Sequence, residues 1–454
     1  MKDLPEFVAS GIDARLFPVL AETSKEKRVA SIFLAVMTQI PALAQDVLGA
    51  VGVRVGKRTQ VRAFTEVVLK GDSASRPDGL IVVDTGRTHW SALVEAKVGR
   101  NDLDDEQVQR YVELARANGI DAVITISNQF VARAEHSPAK VPKTMLRKVS
   151  LFHWSWPWLA TSCEILGYRG DVRDSEQAYL LEQLNHFLAH PATGVERFTQ
   201  MAPAWRDVSM AATRGEALKK TSPEVEEVVA SWLAEERDLC LHLSSHVGRD
   251  VSVRIERKLA DDPAARLKDR ITSLTETCIL TSCFRVPDCA SDIDVSADMA
   301  RRTVAVTMSV KAPTDRKSTK ARVNWLLRML PEDDERLRIS ALWPGRASAT
   351  TLGISRLREE PEALKSENAA VVPHGFEVSL VATLGTRFSG RKTFIEDLEA
   401  IVPTFYDLVG VNLKAWQAPP PKPVKSRCDP NPGEVEAEDL EPGGALPRPD
   451  TSDV

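Results

Sequence analysis

The run "RPDGLIVVDTGRTHWSALVEAKVG", residues 76–99, decides how this chain is read. Two apolar segments, 78–84 and 90–98, flank the turn-forming "GRTH", in which Gly86 is free to adopt a positive φ. That pattern predicts a β-hairpin. The charges stand where an ordinary hairpin has little use for them: Asp78 opens the first strand, and Glu95 and Lys97 close the second. Side chains alternate across a strand, so Glu95 and Lys97 share one face while Val94, Ala96 and Val98 share the other. With antiparallel pairing about 85–89, the start of one strand lies beside the end of its neighbour. Two carboxylates and an ammonium then meet at one end of a sheet.

The flanking sequence supplies the rest of a domain. Residues 26–51 carry Val29, Ile32, Phe33, Val36, Met37, Ile40, Leu43 and Leu48 at helical spacing, with a kink expected at Pro41. Residues 60–70 read as a strand. "NDLDDEQVQRYVELARANG" reads as a helix capped by Asn101 or Asp102 and ended by Gly119, with Asp104, Asp105 and Glu106 at its positive end. Residues 120–128 are a fourth strand. The order αβββαβ predicts an α/β fold (α+β mixed sheet) with helices on the faces of the sheet. Leu103, Gln107, Tyr111 and Ala115 fall on one helical line, which puts a polar Gln107 on an inward stripe near the acids.

Two convergent carboxylates repel unless positive charge lies between them. Hard oxygen donors suit Mg²⁺, which takes one or two protein carboxylates and keeps several waters. A lysine alongside can orient a water or favour its hydroxide form, a set suited to metal-assisted attack on a phosphodiester.

Pro77-Asp78, a spacer, and Glu95-Ala96-Lys97 resemble the pattern of the PD-(D/E)xK nuclease superfamily, whose restriction-endonuclease-like core has the order αβββαβ. Gln107 and Tyr111 resemble the Q-x-x-x-Y element of its RecB and lambda-exonuclease types. The resemblance covers roughly residues 20–130. It implies that Asp78, Glu95 and the Ala96 carbonyl bind Mg²⁺, with Mn²⁺ as a substitute, that Lys97 positions or activates the water, and that Gln107 and Tyr111 support the site or touch DNA. Members also use a glutamate from the first helix or near it. Glu26 and Glu66 both qualify, and Glu66 is favoured because a charge in mid-strand needs a partner. The implied function is a metal-dependent deoxyribonuclease, a phosphodiester hydrolase of DNA repair, restriction or defence against foreign DNA. The alternative is a catalytically inactive nuclease-fold module that binds nucleic acid or a protein partner.

Apolar residues make up 43% and charged residues 27% of the 454, an ordinary soluble composition with room for two or three domains. The nuclease-like domain is assigned to 1–200, of which 131–200 reads as helical and rich in Trp. Residues 201–416 read as a helical connector (222–247) and a second α/β domain. In the latter, strands are expected at 303–311, 337–343 and 375–384, and helices at 319–331 and 390–408. This part is expected to serve substrate binding, specificity, a protein partner or homo-oligomer formation. Residues 417–454 read as a Pro-rich, acidic, disordered tail. The last 26 residues carry eight acids and one arginine, which leaves the body near +2 against −5 for the whole chain. A local basic groove for nucleic acid is compatible with that balance.

Other features compete with plainer explanations. Arg316, Lys317, Lys320 and Arg322 precede and enter a helix and offer a phosphate grip, or else a solvated basic face. His242 and His246 have chelating spacing but lack the HExxH glutamate. Pro287-Asp288 is a second Pro-Asp, followed later by Ser309 where an acid would be wanted, then Lys311. The aromatic run His153, Trp154, Trp156 and Trp158 suits a core better than a base-stacking platform. Six scattered cysteines form no CxxC pair and are expected as small apolar residues, not as zinc ligands or disulfides. No apolar run reaches the roughly 18 residues of a membrane span, and the N-terminus has no apolar signal core, so a cytoplasmic protein is expected.

Overall fold

The computed structural model describes residues 4–18, 24–70, 75–99, 101–131, 133–260, 262–330, 334–345, 347–366 and 371–417. The tail expected after residue 417, with Cys428, lies outside them. The first half runs β1 (Val8–Asp13), α1 (Lys25–Gln39), α2 (Pro41–Gly49), β2 (Gln60–Leu69), β3 (Gly79–Asp84), β4 (His89–Ala96), α3 (Asp105–Ala117), β5 (Ala122–Ser127), β6 (Ser150–Ser155), α4 (Trp156–Arg169) and α5 (Ser175–Ala189). Its six strands lie in sequence order, with β1 to β4 antiparallel and β4, β5 and β6 parallel. The hairpin pairs Gly79 with Val94 and Asp84 with His89. Its turn holds Gly86 at φ 78°, and the Gly86 N–H donates to the Asp84 carboxylate.

Helices cover both faces of this sheet. On one, α1, α2, α4 and α5 pack against Ile81, Val83, Ala92, Val94, Ala96 and Ile124. On the other, α3 packs Val108, Tyr111, Val112 and Ala115 against Leu80, Val82, Leu93 and Val123. Coverage on both sides explains why β3, β4 and β5 are nearly continuous apolar runs instead of alternating ones.

The first half departs from expectation in four places. Pro41 ends one helix and starts another at 112°, because a proline at the first helical position needs no N–H partner. Asp104, not Asn101 or Asp102, caps α3, since only its carboxylate lies three residues before the free Gln107 N–H. "SLFHWS" is the strand β6, not helix, and helical structure begins only at Trp156. An edge strand, β1, precedes α1.

The second half runs α6 (Trp205–Thr213), α7 (Pro223–Val247), β7 (Ser252–Val253), α8 (Arg257–Ala260), α9 (Pro263–Thr277), β8 (Ile279–Arg285), β9 (Ile293–Asp298), β10 (Thr303–Lys311), α10 (Thr319–Leu327), β11 (Leu337–Leu342), β12 (Thr350–Gly353), α11 (Ile354–Glu359), β13 (Gly375–Thr383) and α12 (Arg391–Phe405). Its seven strands form an antiparallel sheet in the order β12-β11-β13-β10-β9-β8-β7. Burial alternates along β9, β10, β11 and β13, the mark of a sheet covered on one face. That face joins α6, α7 and α12 in a core built entirely from residues 201–413. Both sheets belong to one compact unit, Met1–Trp416. Among the described residues no single helix is long and apolar enough to cross a membrane.

Candidate active site

Asp78, at the mouth of β3, and Glu95, near the end of β4, sit on the face of the first sheet that α3 covers. Asp78 precedes Leu80 and Val82 by even steps and Glu95 follows Leu93, which fixes that orientation. The Ala96 N–H donates to Asp78 Oδ2 at 2.9 Å. Asp78 and Glu95 are both buried. Burial, then the charge of Glu95, pushes the Asp78 carboxyl up to about 7. Burial also raises Glu95, against the opposing pull of Lys97.

Lys97, just beyond β4, donates from Nζ to Glu95 Oε1 at 2.7 Å and lies 3.8 Å from Glu26 Oε2. Burial disfavours its charge, but the hydrogen bond to Glu95 and the surrounding acids outweigh that and hold the ammonium above its usual range. Its backbone is fixed from the opposite face. The Trp156 indole N–H, at the start of α4, donates to the Lys97 carbonyl at 2.9 Å, and its ring stacks edge-on against Phe33 of α1.

On α3, Gln107 Nε2 donates to the Tyr111 hydroxyl at 3.3 Å, and that hydroxyl lies 3.2 Å from the Arg76 carbonyl. Burial, then Glu95, raises the phenol. Tyr111 thus links α3 to the segment that delivers Asp78.

Of the two candidate glutamates, Glu26 at the start of α1 reaches the group. It contacts Lys97, its charge acts on Asp78 and Glu95, and Asn101 Nδ2 holds its other oxygen at 2.8 Å. Glu66 does not serve as the mid-strand charge in need of a partner. It is exposed at φ 54°, where the β1–β2 register shifts, and such an irregularity turns a side chain out of the ladder. Glu66 instead lines a cavity of about 130 Å³ together with Asp78, Arg15, Lys27 and Arg76. Glu26 was thus the less favoured of two candidates in the sequence, and the three bases carried no signal there, because residues from β1, α1 and the 75–78 segment meet only in three dimensions.

The remaining candidates lie elsewhere. Arg322 is buried and donates to the carbonyls of Arg316 (2.8 Å) and Pro373 (2.6 Å), and Lys320 pairs with Glu362 at 2.9 Å. Lys317 donates to Thr314 at 3.4 Å. Three of the four groups of the expected phosphate grip are therefore engaged within the chain. His246 bonds Asp407 at 2.8 Å, which ties α7 to the segment after α12. His153 is buried between Thr125 (2.9 Å) and the Gln129 carbonyl (3.0 Å), and burial lowers it to about 4, so it is neutral near pH 7. Trp154 is buried as well. Cys163 and Cys240 are buried free thiols.

No family model, curated protein or solved structure matches this chain.

Proposed function

We propose that the first half is a metal-dependent nuclease that hydrolyses DNA phosphodiesters with Mg²⁺, built on a restriction-endonuclease-like core. The observation that carries this reading is the meeting of Asp78, Glu95 and Lys97 at one sheet end, both acids buried and raised by burial. The order α1-β2-β3-β4-α3-β5 agrees with the core of the family that the motif resembles. DNA as substrate rests on that resemblance.

The donor set fits a hard divalent cation. Two carboxylates confined at low exposure repel each other, and the ammonium nearby bonds only one of them directly. Asp78, Glu95 and the Ala96 carbonyl would hold the ion, with Asp78 kept in place by the Ala96 N–H. A bound Mg²⁺ supplies Lewis acidity toward the phosphate and lowers the pKa of a water. Lys97 orients that water with its ammonium, and Glu26 and Glu95 aim the ammonium. Gln107 and Tyr111 fix α3 against the Asp78 segment. Arg15, Lys27 and Arg76 offer positive charge to a phosphate strand in the adjoining cavity. Asp78 ionises only near pH 7, so cation affinity rises steeply as pH climbs toward that value.

The test is cleavage of plasmid and linear DNA with Mg²⁺ by wild type, Asp78→Ala and Lys97→Ala. Wild type is expected to cut and both variants to lose the activity. Equal cutting by all three, or none by wild type across single- and double-stranded substrates, overturns the reading.

A further inference from the structure

We propose that Glu235 and Asp238 of α7 and Glu399 of α12 form a second cation site, distant in sequence from the first and built to hold one hard divalent ion between the two helices. One carboxylate oxygen from each lies within 4.8 Å of the others. For metal–oxygen bonds of about 2.0–2.6 Å, oxygens around one ion stand roughly 3 to 5 Å apart, so the three reach a common centre with little movement.

An acidic cluster alone means little, since exposed acids often gather. This one is not exposed. Glu235 and Asp238 have no solvent-accessible surface, and neither oxygen of Glu235 has a hydrogen-bond partner. A buried carboxylate without a partner is costly, and native structures almost always satisfy it. Asp238 is better served: Oδ2 accepts the Phe198 N–H at 3.0 Å, and Oδ1 lies 3.8 Å from Arg197. Glu399 is half-buried and gives the site its side toward solvent. Burial, followed by the mutual charge, raises Glu235 well above its ordinary range and Glu399 to about 7. Burial, against Arg197, raises Asp238 to about 6.

Charge selects the ligand. Three ionised carboxylates lie against one positive charge, that of Arg197, which Glu164 shares at 3.8 Å, so at least two negative charges remain for a divalent cation to offset. All-protein oxygen cages suit Ca²⁺ or Mn²⁺ better than Mg²⁺, which dehydrates reluctantly. The ion would act structurally. Arg197 also donates to Thr161 of α4 at 3.3 Å, so the cluster sits where α4 of the first half meets α7 and α12 of the second.

The experiment uses the full chain carrying Asp78→Asn and Glu95→Gln, which removes the proposed nuclease site, so that the two readings fail separately. Metal-free protein is titrated with Mn²⁺, free ion is followed by electron paramagnetic resonance, and Ca²⁺ and Mg²⁺ serve as competitors. One Mn²⁺ per chain is expected. Its affinity should fall about tenfold or more on adding Glu235→Gln or, as a less buried change, Glu399→Gln. Melting temperature should rise with Mn²⁺ or Ca²⁺ only where Glu235 is present. No bound Mn²⁺, or equal binding with and without Glu235→Gln, overturns the proposal. In that outcome the carboxyls are held by protons instead, and Glu235→Gln shifts the melting temperature by the same amount with and without metal.

Discussion

Pro77-Asp78 and Pro287-Asp288 read alike as sequence, yet their surroundings are opposite. Asp78 is buried, accepts one backbone N–H, and faces a second buried acid. Asp288 sits in an exposed loop at φ 63° and pairs with Arg249. The strands beyond them differ as well. Lys97 follows a strand covered on both faces, whereas Lys311 ends an antiparallel strand of alternating burial and is exposed. A candidate catalytic carboxylate is therefore marked less by its neighbours in sequence than by low exposure combined with incomplete neutralisation. A Pro-Asp that finds an arginine in water is only a turn.

The largest expected effect separates the two directly. Asp78→Ala or Lys97→Ala should lower Mg²⁺-dependent DNA cleavage by about 10²–10⁴-fold, while Asp288→Ala leaves it unchanged in the same nicking assay. Stability against pH comes next. In the folded chain Asp78 keeps its proton up to about 7, whereas the unfolded chain releases it near the ordinary carboxylate value of 3.8. Rising pH thus deprotonates the unfolded chain first. The native state loses roughly 1.4 kcal/mol per pH unit across that window, and no more above it. Urea unfolding in EDTA at pH 5 and pH 8 should show this loss in wild type. Asp78→Asn should reduce it, and Asp288→Asn should not.

A smaller effect concerns the support. Tyr111→Phe removes the hydroxyl that joins Gln107 to the Arg76 carbonyl. It should cost about 1 kcal/mol in stability and slow cleavage about tenfold, through the placement of Asp78. Trp156→Phe keeps the buried ring but loses the bond to the Lys97 carbonyl, and should cost about 1 kcal/mol by denaturant titration. Smallest of all, Arg249→Ala breaks an exposed ion pair and should change stability by less than about 1 kcal/mol.

The hairpin was legible because two local signals agreed: the apolar runs, and a turn whose glycine takes the positive φ it was assigned. The α3 stripe of Tyr111 and Ala115 was legible for the same reason, since periodicity and burial coincide there. What escaped reading depended on partners remote in sequence. "VASGID" has little strand character of its own and becomes β1 by pairing with β2. "SLFHWS" runs four large side chains together directly before a Trp-Pro-Trp helix start, so the strand was absorbed into the helix. "AEERD", 234–238, looks like a solvated stretch of a long helix. Three of its four charged residues are nevertheless buried: Glu235 and Asp238 lie against Glu399 of α12 and the 197–198 segment, and Glu236 pairs with Arg266 of α9.

The bond from the Trp156 indole to the Lys97 carbonyl bears on folding accuracy. Strand side chains repeat every two residues, so a slip of β4 by one position against β5 would send Glu95 and Lys97 into the apolar layer and turn Ala96 toward Asp78. Only one alignment of β4 lets the indole meet that carbonyl while the Ala96 N–H meets Asp78. Helix α4 follows β6 in the chain, after every strand of the sheet has been made. Its first residue therefore acts as a late check on strand alignment: a misthreaded sheet leaves a buried N–H unanswered, and the correct one does not.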